Sequence, residues 1–292
     1  MRSKVTIVGC GDIGGRVAEA CLAKGDHCTG WVRSDESVMA LREQRIPTLK
    51  VDLDPLMLGL PSVEDHDLFY FVPPPAKGKE DSRVAHLIDQ LSEVGQPRKV
   101  VYLSASGVYG DCGGEWVDET RTPAPSVDRA FRRLDAENRW CEWSRKTGGE
   151  LVILRVAGIY GPGKLPLERL RQGRPMVAEV DSPITNHIHT HDLVEICLAA
   201  MDRGVSGDVY NVCDGHPGTM TGYFNAVADF LDLPRPPVIS LAEAEQTLTP
   251  GMLSYLGESR RLSNRKLVEE LGVILKYPTL ETGLPALIAM EG

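Results

Sequence analysis

The chain has 292 residues, 42% hydrophobic and 25% charged, which excludes a disordered chain and leaves ample apolar material for one large domain or two small ones. The formal net charge is −9, from 32 Lys and Arg against 41 Asp and Glu, so the surface repels phosphate backbones and argues against general nucleic-acid binding. No apolar run reaches the roughly 18 residues that a membrane-spanning helix needs.

Met1 to Val8 carries no hydrophobic signal core and no small-residue cleavage site, so a cytoplasmic protein without membrane contact is expected. Seven cysteines, at 10, 21, 28, 112, 141, 197 and 213, form no CxxC pair and sit mostly in apolar surroundings. They read as reduced, mostly buried thiols rather than as a disulfide framework or a zinc site.

In chain order, Val5 to Val8 reads as a strand and Asp12 to Lys24 as a helix stopped by Gly25. His27 to Val32 is a second strand, and Ser34 to Gln44 a second helix with Ser34 as its N-cap. Thr48 to Val51 and Asp67 to Val72 are further strands, the latter running into Pro73-Pro74-Pro75. Asp81 to Val94 is helical, and Lys99 to Leu103 is a fifth strand. Strands and helices alternating at this spacing predict an α/β fold of parallel βαβ units. The second half is less regular. It holds a long helix from Arg129 to Lys146, an apolar and therefore central strand from Leu151 to Val156, and a Gly-, Pro- and Arg-rich stretch from Gly161 to Val180. A strand at Val209 to Cys213 and helices at Met220 to Leu231 and Asn264 to Leu271 complete it.

The first strand runs into Gly9-Cys10-Gly11-Asp12-Ile13-Gly14, a GxGxxG that opens a helix. Gly9 permits the tight turn, Gly11 lets a pyrophosphate approach the backbone, and Gly14 permits close helix–strand packing. The helix start at Asp12 and Ile13 offers N–H groups and the positive end of a dipole to the phosphates. An acidic residue at the end of the second strand would bond the ribose 2′-hydroxyl of NAD. Arg33-Ser34 stands there instead, a forked cation and a hydroxyl that suit a 2′-phosphate, so NADP is expected over NAD.

With these features, Tyr102-Leu103-Ser104-Ala105-Ser106-Gly107-Val108-Tyr109-Gly110 resembles the extended short-chain dehydrogenase/reductase superfamily, and within it the NAD-dependent epimerase/dehydratase branch. Leu154 to Gly163, Asn186 to Leu193, Val209 to Val212 and Asn264 to Gly272 extend the likeness through nearly the whole chain. The resemblance implies a Rossmann core, a doubly wound parallel sheet of about seven strands with helices on both faces, plus a small C-terminal region that closes over a substrate. It divides the chain into a 1–160 cofactor-binding core and a 161–292 region that completes the core and forms the substrate part. It also implies an adenine contact at Asp52 and Leu53 and a ribose passage at Val72, Pro73 and Pro74. Further cofactor contacts follow at Ser104, Arg133 and Val156, and substrate contacts at Ser106, Tyr109, Ile159 and His189.

The superfamily's redox site uses Ser or Thr, Tyr and Lys, with the tyrosine moving a proton while hydride moves at the nicotinamide. Ala105 stands at the Ser position, and counting back from Glu137 puts Arg133 at the Lys position and Arg129 at the Tyr position of the long helix. Arginine keeps its proton, so Arg129 cannot replace the tyrosine as an acid–base group. Arg133 can still hold a ribose hydroxyl, and Ser106 and Tyr109 remain as candidate catalytic groups. His187, His189 and His191 would share one face of a strand, a candidate metal or acid–base cluster; the competing reading makes His189 a family histidine, Asp192 the N-cap of the next helix, the other histidines surface residues and no metal site. Arg155, Lys164, Arg169, Arg171 and Arg174 make a locally basic stretch that suits an anionic or nucleotide-linked substrate, or else a solvated loop. Two functions follow. One is an NADP(H)-dependent oxidoreductase, epimerase or dehydratase acting on a small molecule, as monomer or homodimer. The other is a non-catalytic NADP(H)-binding sensor or partner protein.

Overall fold

The structure is a computed structural model that describes residues 2–54 and 59–287. The order is β1 (Lys4–Val8), α1 (Asp12–Ala23), β2 (His27–Val32), α2 (Asp35–Glu43), β3 (Thr48–Lys50), β4 (Asp67–Tyr70), α3 (Ser82–Val94) and β5 (Lys99–Ala105). It continues with β6 (Trp116–Val117), α4 (Asp128–Thr147), β7 (Glu150–Val156), β8 (Gly158–Tyr160), α5 (Leu167–Arg171), β9 (Met176–Val177) and β10 (Ile184–Thr185). Then come β11 (His187–His189), α6 (Thr190–Arg203), β12 (Val209–Val212), β13 (Gly218–Thr219) and α7 (Met220–Phe230), with short helices beyond.

The central sheet has seven strands in the order β12-β7-β5-β4-β1-β2-β3. From β3 through β2, β1 and β4 to β5, every pairing is parallel. The chain leaves β1 toward β2 and β3 on one side and returns to β4 on the other, which opens a crevice at the carboxyl ends of β1 and β4. Alternation along the strands sends Val8, Leu68, Tyr70, Val100 and Tyr102 to one face, where they pack with Val84, Leu87 and Leu91 of α3 and Trp140 of α4. Ile7 faces the other way, and a Cβ added at Gly14 of α1 would lie 3.1 Å from its Cγ2. Helices therefore cover both faces, as the doubly wound pattern requires.

Local signals account for the element ends. The Ser34 hydroxyl caps α2 by accepting from the Ser37 N–H, and the Asp81 carboxylate caps α3 by accepting from the Arg83 and Val84 N–H groups. Asp192 does not cap a helix: α6 starts earlier, at Thr190, and the Asp192 carboxylate accepts from the Lys276 and Tyr277 N–H groups, each at 2.9 Å. Six cysteines are buried free thiols, and Cys141 is exposed.

The chain forms two compact units, each discontinuous in sequence where the expected division was one cut after residue 160. The first comprises Met1–Val108, Pro125–Arg155 and Val194–Tyr210. The second comprises Tyr109–Ala124, Val156–Leu193 and Asn211–Gly292. Its own core gathers Tyr160, Leu170, Met176, Phe224, Val227 and Leu284. Among the described residues, no helix is long and apolar enough to cross a membrane.

Candidate functional site

The three glycines after β1 answer to different demands. Gly9 has φ +87°, and a Cβ there would lie 2.6 Å from the Val72 nitrogen, so only glycine lets this turn pass the chain leaving β4. Gly14 sits against the Gly9 carbonyl oxygen, 3.0 Å from where its Cβ would be, which sets the close approach of α1 to the sheet. Gly11 has no such neighbour: a Cβ there would meet nothing within 4 Å. The protein's own packing therefore gives no reason for a glycine at 11, whereas a phosphate approaching the main chain would. α1 also begins without a side-chain cap, which leaves its first N–H groups to a ligand or solvent.

A cleft of about 560 Å³ opens at this point, within the size range of ligand sites. Of the residues expected at a cofactor, Gly9, Gly11, Arg33, Ser34, Asp52, Leu53, Val72, Pro73 and Pro74 line it. Asp12, Ile13, Gly14, Ser104, Arg133 and Val156 are not part of that lining. Sequence reading missed Cys10, Ser37, Ala76 and Arg83, which are. Arg33 projects from the end of β2 with its side chain 63% exposed and donates to Asp54 Oδ2 at 3.1 Å. Arg83 grips the same carboxylate, Nε to Oδ1 at 2.5 Å and Nη2 to Oδ2 at 2.8 Å, and donates through Nη1 to the Pro73 carbonyl at 2.7 Å. The Arg83 hydrogen bond, with Arg33 beside it, holds the Asp54 carboxyl below the usual carboxylate range. These residues fit a dinucleotide: glycine main chain at the crevice, apolar walls at Leu53 and Val72, and cations where the second strand ends.

Around the positions that the sequence reading set against the superfamily's triad, Ser104 and Arg133 bond protein groups. The Ser104 hydroxyl donates to Glu137 Oε1 at 2.6 Å, and Glu137 takes a fork of hydrogen bonds from Arg155, the closest Nη2 to Oε2 at 2.7 Å. All three are buried, so Arg155 belongs to a core ion pair and not to the basic stretch with which the sequence grouped it. Arg133 donates to the Leu103 carbonyl at 3.0 Å and lies 3.5 Å from the Val72 carbonyl and the Tyr102 hydroxyl. Burial pushes the Tyr102 phenol up to about 12, so it keeps its proton. Arg129 is half-buried in the first turn of α4, and Ser106 is buried in the single turn that follows β5.

In the second unit, Tyr109 is buried and its hydroxyl donates to Asn211 Oδ1 at 2.8 Å. Asn211 in turn donates to the Val117 carbonyl at 3.2 Å. Tyr160 and Lys164 have the four-residue spacing that α4 lacks, but Tyr160 is the last residue of β8, is fully buried and donates to the Thr279 carbonyl at 3.2 Å. Ile159 lies half-buried on β8, paired with Ile188 of β11. His187 and His189 are buried on β11, whereas His191 is in α6, so the three do not share a strand face. His187 stacks on Tyr223 with ring centroids 4.2 Å apart, and burial pushes its pKa down to about 4. His189 meets Tyr160 edge-on at 5.2 Å, and its Nδ1 accepts from the His191 N–H at 3.1 Å. Arg169 donates to the Pro175 carbonyl at 2.6 Å and Arg174 to the Gln172 side chain at 2.6 Å, so part of the basic stretch is bound within its own loop.

Residues 82–213 match the family model described as the NAD dependent epimerase/dehydratase family. A solved structure described as a functionally unknown conserved protein from Silicibacter pomeroyi DSS is 32% identical over 99% of both chains, with a TM-score of 0.84. The chain belongs to the NAD-dependent epimerase/dehydratase family. Protein YeeZ of Escherichia coli K12 is 27% identical over 285 residues, covering 94% of this chain and 96% of its own. UDP-glucose 4-epimerase from Thermotoga maritima, solved with UDP-glucose, shares the fold with a TM-score of 0.76 at 19% identity, over 98% of this chain and 97% of its own. The family match begins at α3, so the glycine turn and the Arg33 end of the cleft lie outside it.

Proposed function

We propose that this member of the epimerase/dehydratase family binds NADP(H) in preference to NAD(H) and acts on a small, anionic or nucleotide-linked substrate. The observation that carries the cofactor reading is the end of β2. Arg33 and Ser34 line the cleft where an acidic residue would suit the plain ribose of NAD. Gly11 and the uncapped start of α1 take the pyrophosphate, and Asp52 and Leu53 take the adenine. When bound, the nicotinamide supplies or accepts a hydride. The second unit, with the 161–292 region as its main part, takes the substrate through Ile159 and His189, and the UDP-glucose of the Thermotoga epimerase suggests its class. Ser106 and Tyr109 are the proposed substrate and proton contacts. Arg129 and Arg133 serve as fixed cations rather than as acids or bases.

A second reading, a non-catalytic NADP(H) sensor, is favoured by one observation. The Tyr109 hydroxyl and the Arg133 guanidinium are both committed to protein acceptors. Fluorescence titration tests the cofactor reading. NADPH should bind clearly more tightly than NADH, and Arg33→Ala should remove roughly 1.5–3 kcal/mol of NADPH affinity, the scale of a charge-assisted hydrogen bond. Equal affinity for both cofactors in the unmutated protein sinks it. NADPH oxidation against a broad carbonyl panel separates the two functions: turnover on the order of 1–10³ s⁻¹ excludes the sensor.

A further inference from the structure

We infer that Arg83 is a second specificity-determining cation for the cofactor's 2′-phosphate, and that Asp54 is the positioning residue that holds Arg33 and Arg83 as a pair at the cleft. The inference rests on the NADP(H) reading above. Arg33 and Arg83 both line the cleft, while Asp54, to which both donate, does not. Arg33 Nη1 and Arg83 Nη2 donate to the same oxygen, Asp54 Oδ2, so the two guanidinium groups are neighbours although α3 and the end of β2 are far apart in sequence. One carboxylate between two arginines leaves a net positive charge. The carboxylate that does line the cleft, Asp52, accepts the Asp54 N–H at 3.0 Å, within its own turn.

The two arginines are held to different degrees. Arg83 has a side chain 14% exposed and three hydrogen bonds, two to Asp54 and one to the Pro73 carbonyl. A guanidinium has five N–H groups, so two remain to bond a ligand oxygen from a fixed position. Arg33, more than half exposed and held by one bond, keeps four and is free to close over a ligand. A preset cation costs little ordering on binding, whereas a loose one must be immobilised. A phosphate has three terminal oxygens and can accept from both forks at once. A plain 2′-hydroxyl carries no charge and gives such a pair little to bind. Arg83 therefore adds to discrimination between the cofactors and not only to affinity.

The experiment measures Kd for NADPH, NADH and adenosine 2′,5′-bisphosphate by titration calorimetry on the full chain. Variants are Arg83→Gln, Arg83→Lys, Asp54→Asn and Arg33→Ala, with Tm as the folding control. Arg83→Gln should lower the NADPH-to-NADH affinity ratio at least tenfold and weaken the bisphosphate to the same extent. Arg83→Lys keeps the charge without the fork, so it should lose less and keeps the test open if the glutamine variant misfolds. Asp54→Asn should lower the ratio severalfold even though it removes a negative charge, because it releases both arginines. A ratio changed less than threefold by both Arg83 variants overturns the inference, since Arg83 would then serve adenine binding or structure alone. Tighter NADPH binding in Asp54→Asn overturns the positioning role and makes Asp54 a competitor of the phosphate. If the unmutated protein binds both cofactors equally and Arg33→Ala is silent, the NADP(H) reading itself fails, an outcome distinct from failure at Arg83 alone.

Discussion

Gly9 and Gly11 are two positions apart and have opposite reasons to be glycine, which gives a test at the scale of single residues. Gly9→Ala adds a Cβ 2.6 Å from the Val72 nitrogen on a backbone with φ +87°, and should cost more than about 2 kcal/mol in urea unfolding. Gly11→Val places its side chain in open space, so Tm should move by only a few degrees while NADPH binding is lost in the titration. If Gly11→Val binds normally, the cleft is not the pyrophosphate site. The sequence announced this turn because its signal is local: three glycines between a strand and a helix. It gave no sign of Arg83, whose partner Asp54 is 29 residues away in sequence. Nothing in the spacing of Asp81-Ser82-Arg83 says that a residue in the first turn of α3 will reach across to the end of β3.

At the scale of elements, α4 is tied to β5 and β7 through Ser104, Glu137 and Arg155. Glu137→Gln removes the charge that Glu137 sets against the buried Arg155 guanidinium and should destabilise by about 3–5 kcal/mol, against about 1 kcal/mol for Ser104→Ala. Chemical denaturation measures both, and a Glu137→Gln cost under about 1 kcal/mol would show that the core tolerates the lone cation. Element boundaries in the first half were legible to within a few residues because Ser34, Asp81 and Gly25 act on their own neighbours. Asp192 misled for the complementary reason. It looks like a cap by position, yet its carboxylate holds a loop 84 residues further on. The short strands of the second unit carry too few residues to set a period, so its two-stranded pairings were not visible in the sequence.

For the whole molecule, stability should carry the signature of Asp214, which is 3% exposed. Burial pushes its pKa up to about 7, against the roughly 3.9 of an unfolded chain, while the His216 N–H at 2.9 Å pulls the other way. The folded state therefore binds this proton more tightly than the unfolded state. The group is least unfavourable below about pH 4, and its cost grows as pH rises from there to about 7, by at most about 1.4 kcal/mol per pH unit. Asp214→Asn keeps the acceptor for His216 and removes the charge. The variant's Tm should climb relative to the unmutated protein as pH goes from 4 to 8, and parallel Tm–pH curves would contradict the assignment. The parallel βαβ units followed from the alternation of strands and helices, and the doubly wound sheet from the family resemblance. The division into two interleaved units did not, because it depends on where distant segments pack.

Arg133 has a consequence for how this chain can change. Its guanidinium clasps the Leu103 carbonyl and reaches toward Val72 and Tyr102, at the carboxyl ends of β4 and β5. All three approaches are made by one nitrogen, Nη1, held in place by the planar guanidinium; a lysine there would offer one nitrogen on a more flexible stem. Arg133→Lys therefore keeps the positive charge and gives up the fixed planar group, so its effect should show as looser strand ends rather than as a lost cation.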